Sequence, residues 1–287
     1  MKKFHQSVLL DEVIDWLDVK SGSLYIDATV GGGGHTQEIL ARGGRVLALD
    51  RDPQAVEYLK KRKLGNLILV NGNFAHINSI AVKFGFQKVS GIIFDLGVSS
   101  HQLEIPQRGF SFQNEGPLDM RMEPDLNIRA FDLINFFDKR RLYEVIKGFG
   151  EEKLSRPIVD AIYSARRIKK IETTTELAEI VSEVYRKYRV KSKVHPATKT
   201  FQALRIVVNS ELLNLEEALP QTVELLKKGG RLAIISFHSL EDGIVKRFFK
   251  QAARLKTLTK TPIGPGAGEI QKNPRSRSAK LRVAEKI

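Results

Sequence analysis

The chain has 287 residues, 42% hydrophobic and 28% charged, with 47 Lys and Arg against 33 Asp and Glu and a formal net charge of +14. This composition excludes a disordered chain, and the basic excess favours a polyanionic partner, nucleic acid first. The absence of cysteine excludes disulfides, thiolate metal sites and cysteine-held iron–sulfur clusters, together with radical chemistry built on such a cluster.

It also removes the thiolate that carbon methylation of a pyrimidine normally needs, so a methyl placed on a base must go to a nucleophile the substrate already owns. No metal is expected. No apolar run approaches a membrane span and no signal peptide opens the chain, so a cytoplasmic protein is expected.

Val8, Leu9, Leu10, Val13, Ile14 and Leu17 recur at helical spacing and predict an amphipathic helix, with His5 an incidental neighbour. The run from Leu24 to Asp27 reads as a first strand, and Gly31 to Gly34 follow it. A strand that turns abruptly into a helix leaves backbone N–H groups free, and glycine lets a ligand lie against them. A dinucleotide loop, G-x-G-x-x-G, fails because Thr36 stands where the third glycine belongs. The acid-x-G-x-G-x-G pattern of S-adenosylmethionine loops fits better: Asp27 opens it, Thr29 replaces the first glycine, and Gly31 and Gly33 fill the others. Asp27 is then placed to take a cationic amino group. A glycine-rich surface turn is the plain alternative.

A helix from Thr36 to Arg42 closes at Gly43-Gly44, and Arg45 to Asp50 forms a second strand. Its terminal Asp50 occupies the place where open α/β sheets present a carboxylate to a ribose, while Asp52 is the better helix cap. A third strand, Asn66 to Val70, leads to Phe74, which can flank an adenine or pack in the core. The fourth, in the run Ser90 to Ser100, is apolar and therefore central, and it delivers Asp95 to the same edge. Three acids at three strand ends define a site.

From Gln107 to about Thr200 no strand pattern interrupts a block of helices, including one opened by the capping box Thr173 to Glu176. This predicts a helical insertion, residues 107–199, in a catalytic domain of residues 1–106 and 200–287. Arg186, Lys187, Arg189, Lys191, Lys193 and Lys199 crowd its exit, as a solvated face or an RNA contact. A long helix is predicted through Phe201, Leu204, Val208, Leu212, Leu215 and Leu219, with Gln202, Arg205 and Asn209 converging on another face as base or phosphate contacts. A fifth strand, Gly229 to Ser239, ends in aromatic and polar residues and brings Phe237 and His238 to the acidic edge, with Ser239 to Asp242 capping the next helix. In the last strand Ala279, Leu281 and Val283 alternate with Lys280 and Arg282, predicting one buried and one basic face.

Together Asp27-Ala28-Thr29-Val30-Gly31-Gly32-Gly33-Gly34-His35, Asp50-Arg51-Asp52-Pro53, Asp95-Leu96-Gly97-Val98-Ser99-Ser100, Arg108-Gly109-Phe110-Ser111-Phe112, Gly116-Pro117-Leu118-Asp119-Met120-Arg121-Met122, Thr200-Phe201-Gln202-Ala203, Ile235-Ser236-Phe237-His238-Ser239-Leu240-Glu241-Asp242 and Asn273-Pro274-Arg275-Ser276-Arg277-Ser278 resemble, in order, the motifs of the MraW family of bacterial 16S rRNA (cytosine N4)-methyltransferases. The resemblance spans almost the whole chain; Gly32 departs from it where larger residues are common. It implies a class I, Rossmann-like S-adenosylmethionine-dependent fold and a cytidine of the small-subunit decoding centre as target. It implies donor binding by Gly33, Gly34, His35, Asp50, Phe74, Asp95 and Gln102.

On the residues alone, Asp95 is the expected acceptor of an amino N–H, and Phe237 or His238 the ring that flanks a flipped base, with core packing the alternative for Phe237. Arg108, Lys199, Arg275 and Arg277 join Gln202, Arg205 and Asn209 as expected RNA contacts. A homodimer is compatible with the sequence. Three rival readings fit the sequence less well: a nucleotide-dependent oxidoreductase, an RNA-binding protein without activity, and a DNA amino-methyltransferase.

Overall fold

The computed structural model describes residues 7–287, so His5 lies outside the described residues. The chain forms two compact units, one from the residues up to Ser99 together with Leu212–Ile287, the other Ser100–Glu211.

The first unit begins with α1 (Leu10–Leu17), β1 (Leu24–Asp27), α2 (Gly34–Ala41), β2 (Arg45–Asp50), α3 (Pro53–Lys60), β3 (Leu67–Asn71), α4 (Ile77–Lys83) and β4 (Val89–Asp95). The second unit holds α5 (Ser100–Glu104), α6 (Ala130–Phe136), α7 (Lys139–Gly150), α8 (Ser155–Ile168), α9 (Thr174–Lys187) and α10 (Thr198–Val208). The chain then returns through α11 (Glu211–Leu225) to β5 (Leu226–Ser236), α12 (Ser239–Gln251), β6 (Leu255–Thr257), α13 (Ala267–Lys272) and β7 (Lys280–Lys286).

The seven strands form one sheet in the order β3-β2-β1-β4-β5-β7-β6. The pairs from β3 to β5 are parallel, and β7 runs antiparallel between β5 and β6. Alternation along the strands sends Ile26, Leu47, Ile92, Phe94 and Leu232 to one face, where α4, α11 and α12 supply Ile77, Leu219 and Phe249. Tyr25, Val46, Ile93, Ala233 and Leu281 go to the other, covered by Ile14 of α1, Ile39 of α2 and Leu59 of α3. Both faces of the sheet are therefore buried, as a parallel sheet with crossover helices requires.

Three expectations change. The helix predicted through Leu219 is two helices, α10 and α11, broken at Asn209-Ser210, where Ser210 has φ 49°. The unit boundaries fall at 100 and 211 rather than 107 and 199. The reason lies in α10, which packs on α7: Gln202 Nε2 donates to the Phe149 carbonyl at 3.0 Å and Lys199 Nζ to that of Glu151 at 2.9 Å. The last strand has no basic outer face, because α12 packs across the face that carries Arg282 and Ala284. Arg282 is buried and bonds Asp242 through Nε at 2.6 Å and Nη2 at 3.2 Å.

Candidate active site

The parallel strands end together, and their carboxyl ends hold the loops where open α/β sheets bind ligands. The chain leaving β1 is tied to both neighbours: Ala28 N donates to Ile93 O at 2.9 Å and Val30 N to Leu49 O at 2.8 Å. Gly31 and Gly33 have φ of 48° and 79°, the left-handed region that glycine enters without cost. Gly33 is the N-cap of α2 and no side chain caps that helix. Its first N–H groups and the positive end of its dipole are thus presented to an anionic group.

Asp27 is only 2% exposed. Its Oδ1 accepts from Thr29 N at 3.2 Å and its Oδ2 from Thr36 Oγ1 at 2.7 Å, so it fastens the loop to the first turn of α2. Burial raises its pKa. Asp27 thus spends one lone pair of each oxygen on its own loop. Asp50 also holds the loop, accepting from Gly31 N at 2.8 Å and from Asp52 N at 2.9 Å, but it stays partly open to solvent. Burial pushes its pKa up to about 6, against which the two backbone donors act. Each oxygen retains a lone pair for a hydroxyl donor. Asp52 caps α3 as predicted, accepting from Gln54 N at 3.0 Å.

Asp95 ends β4 opposite Ile235 of β5. Its N–H donates to Thr29 Oγ1 at 2.6 Å, which locks the loop after β1 to the end of β4. His35 is buried, with Nε2 at 3.1 Å from Val8 O. That carbonyl can only accept, so Nε2 carries the proton, and Nδ1 faces Asp95 Oδ2 at 3.9 Å. Gly34 leaves no room for a side chain, since a Cβ there would lie 1.9 Å from Ser7 Oγ. Phe74 is buried and packs edge-on against Phe94, with centroids 5.4 Å apart.

At the end of β5, Phe237 is half-buried against the α1–α3 side of the core. Gly97 lies beside the Phe237 ring, and its φ of 98° is the left-handed conformation that favours glycine. His238, rather than Ser239, is the N-cap of α12. Its Nδ1 accepts from Glu241 N at 3.4 Å, and Glu241 returns Oε2 to Phe237 N at 2.8 Å and His238 N at 3.3 Å. Nε2 sits 3.2 Å from Glu241 Oε1 without the alignment of a hydrogen bond. The His238 ring is a cap, held by Glu241.

In the helical unit, Gln102 is buried on α5. Arg108 Nη2 donates to the carbonyls of Arg121 and Met122 at 3.1 and 3.2 Å. Arg205 pairs in bidentate fashion with Glu211, both bonds 2.9 Å. Asn209, 1% exposed, accepts from Met122 N at 2.8 Å and donates to Met120 O at 2.7 Å and Arg205 O at 2.9 Å. Gln202 and Lys199 are spent on α7 as described. Asn209, Arg205 and Gln202 therefore brace the loop and helices, with Asn209 fully buried in doing so. Arg275 and Arg277, in the first unit, are exposed.

Two contributors went unseen in the sequence. Thr29, taken as a substitute glycine, supplies the hydroxyl that fixes Asp95, and Glu241 gathers the backbone after β5. The spacing Asp27-x-Thr29, with the Thr29 N–H on the Asp27 carboxylate, is an Asx turn that could have signalled the first.

The strand order, the uncapped glycine turn and the acids at successive strand ends define a methyltransferase of the class I, Rossmann-like fold. The model of the MraW methylase family matches residues 2–287. The chain belongs to that family. Among its relatives, the "Ribosomal RNA small subunit methyltransferase H" of Persephonella marina is 47% identical over 291 residues, covering 99% of each chain. That of a Geobacter species is 44% identical with 100% of each covered, and that of Halothermothrix orenii 43% identical over 99% of this chain and 98% of its own. Among the described residues no helix is long and apolar enough to cross a membrane.

Proposed function

We propose that the protein methylates the exocyclic N4 of a cytidine in the decoding centre of small-subunit rRNA, with S-adenosylmethionine as donor. The observation that carries the reading is the anchoring of Asp95, at the end of β4, by the Thr29 hydroxyl at 2.6 Å, beside a glycine turn whose helix lacks a side-chain cap. The residues suit the donor: the α2 N-terminus for its carboxylate, Asp50 for ribose hydroxyls, and the edge of Phe74 for the adenine. The names of the relatives support rRNA of the small subunit as substrate.

The exocyclic nitrogen of cytosine is a poor nucleophile because its lone pair is spread into the ring. When bound, S-adenosylmethionine supplies an electrophilic methyl group on a sulfonium. Asp95 accepts an amino N–H, so the nitrogen can become tetrahedral as its pair forms the new N–C bond and the C–S pair returns to sulfur. The same carboxylate then takes the proton the nitrogen sheds. Positioning and a fixed negative charge do most of the work, with proton transfer contributing roughly 10²–10⁴-fold. Carbon methylation is disfavoured because the chain has no cysteine to attack the ring. Phe237 is the ring proposed to flank the base.

The test is to incubate small subunits lacking the modification with labelled donor, digest the RNA and identify the nucleoside. N4-methylcytidine is expected, and uptake by duplex DNA but not by rRNA would refute the reading. Asp95→Ala should bind the donor more weakly yet measurably and lose transfer; full activity in that variant removes Asp95 from the mechanism.

A further inference from the structure

Between Val184 and Ser210 the sequence contains no acidic residue and seven cations. Three of the seven are spent internally: Arg186 pairs with Glu179 and Glu183, Lys199 with the Glu151 carbonyl, and Arg205 with Glu211. The other four, Lys187, Arg189, Lys191 and Lys193, are exposed and make no ion pair among the described residues. They alternate with exposed apolar side chains, Tyr188 at 53%, Val190 at 44% and Val194 at 53%. The C-terminal dipole of α9 accounts for a cation at Lys187, but it fades within a turn and does not reach Lys191 or Lys193.

The segment ends on a ring held in place. His195 is exposed, yet it stacks on Phe112 with centroids 4.4 Å apart and planes 27° apart, and Phe112 meets Phe201 edge-on at 4.9 Å. Its Nδ1 also accepts from Ala197 N at 3.2 Å. A planar ring so fixed pays little entropy when a base stacks on it. Cations spaced along an exposed segment, interleaved with rings, are what single-stranded RNA needs: charge for each phosphate and a flat face for bases.

We propose that residues 187–195 form a docking strip for single-stranded RNA, with the four cations on phosphates and the rings of Tyr188 and His195 stacking on bases. The proposal rests on the reading of rRNA as substrate and adds a second set of contacts to those assigned to transfer.

The test compares binding of a small-subunit rRNA fragment across a salt series by the wild type and by Lys187→Gln/Arg189→Gly/Lys191→Gln/Lys193→Gln. Arg189 has φ 53°, a conformation glycine prefers, so Arg189→Gly alone should keep the thermal midpoint while weakening RNA binding. Loss of four phosphate contacts should lower the slope of log affinity against log salt by about 3 and weaken binding at least tenfold near 0.1 M salt. Tyr188→Ala should weaken it roughly five- to a hundredfold. Donor binding should not change in any of them. Unaltered affinity and slope in the fourfold variant, in a protein whose wild type methylates the RNA, overturns the strip. A wild type that shows the strip-dependent slope yet methylates no rRNA refutes the proposed function and leaves the strip standing.

Discussion

Replacing Asp50 with Asn separates what this carboxylate does for the fold from what it does for the ligand. In the wild type the folded protein holds Asp50 at a pKa of about 6, above its ordinary 3.8, because burial disfavours the charge more than the N–H groups of Gly31 and Asp52 favour it. The folded state therefore binds the proton more tightly than the unfolded state. Asp50 favours folding fully below about pH 4, and that contribution is lost as pH rises through about 6, a difference of about 3 kcal/mol. Ligand binding runs the opposite way, since ribose hydroxyls donate and need the ionised acceptor. Affinity for S-adenosylmethionine should plateau above about pH 6 and fall up to tenfold per pH unit below it.

In Asp50→Asn the amide offers one acceptor oxygen instead of two and turns an NH₂ toward a donor. One loop bond is lost, but no charge is buried, so the thermal midpoint at pH 7.5 should change little. The charge-assisted bonds to the ribose, ~1.5–3 kcal/mol each, are weakened, so donor affinity should fall roughly ten- to a thousandfold. Calorimetric titration between pH 5 and 8, alongside thermal melts, measures both. An Asp50→Asn protein that binds the donor within threefold of wild type, or keeps the wild-type pH slope, refutes the assignment of Asp50 to the ribose.

Asn209→Ala should destabilise the helical unit by ~2–4 kcal/mol, since it strands the buried Met122 N–H and Met120 carbonyl, and hydrogen exchange at Met122 should accelerate. Donor affinity measured by titration should remain at the wild-type value. Gly33→Ala forces a Cβ within 2.6 Å of Leu59 Cδ2 at φ 79°, and should cost on the order of 1–3 kcal/mol in thermal stability and weaken donor binding by at least tenfold.

The catalytic unit was readable because its signals are local. An apolar run that stops at an acid states its own position, and this is true of Asp27, Asp50 and Asp95 alike. What each acid does was less readable. Asp27 and Asp50 end neighbouring strands, yet Asp27 turns into its own loop because Thr29 and Thr36 supply donors, whereas Asp50 keeps part of its surface in water. The difference depends on a hydroxyl nine residues along the chain from Asp27, which no strand pattern contains.

Polar residues on helices fared worse, for a related reason. Helical spacing placed Gln202, Arg205 and Asn209 on one face and could not say what that face meets. It meets protein: Asn209 closes on Met120 and Met122, 89 and 87 residues away in sequence. Arg282 shows the same principle in a strand, where alternation predicted a wet face that α12 covers, with Asp242 of that helix on the guanidinium. The cations of residues 187–193 escape this fate because no acid accompanies them in sequence and none reaches them among the described residues. An unpaired charge kept at the surface costs the fold nothing and is free to serve a phosphate, whereas a polar group met by protein has already been used. Counting partners, not polarity, therefore decides which basic residues of this chain remain available to RNA.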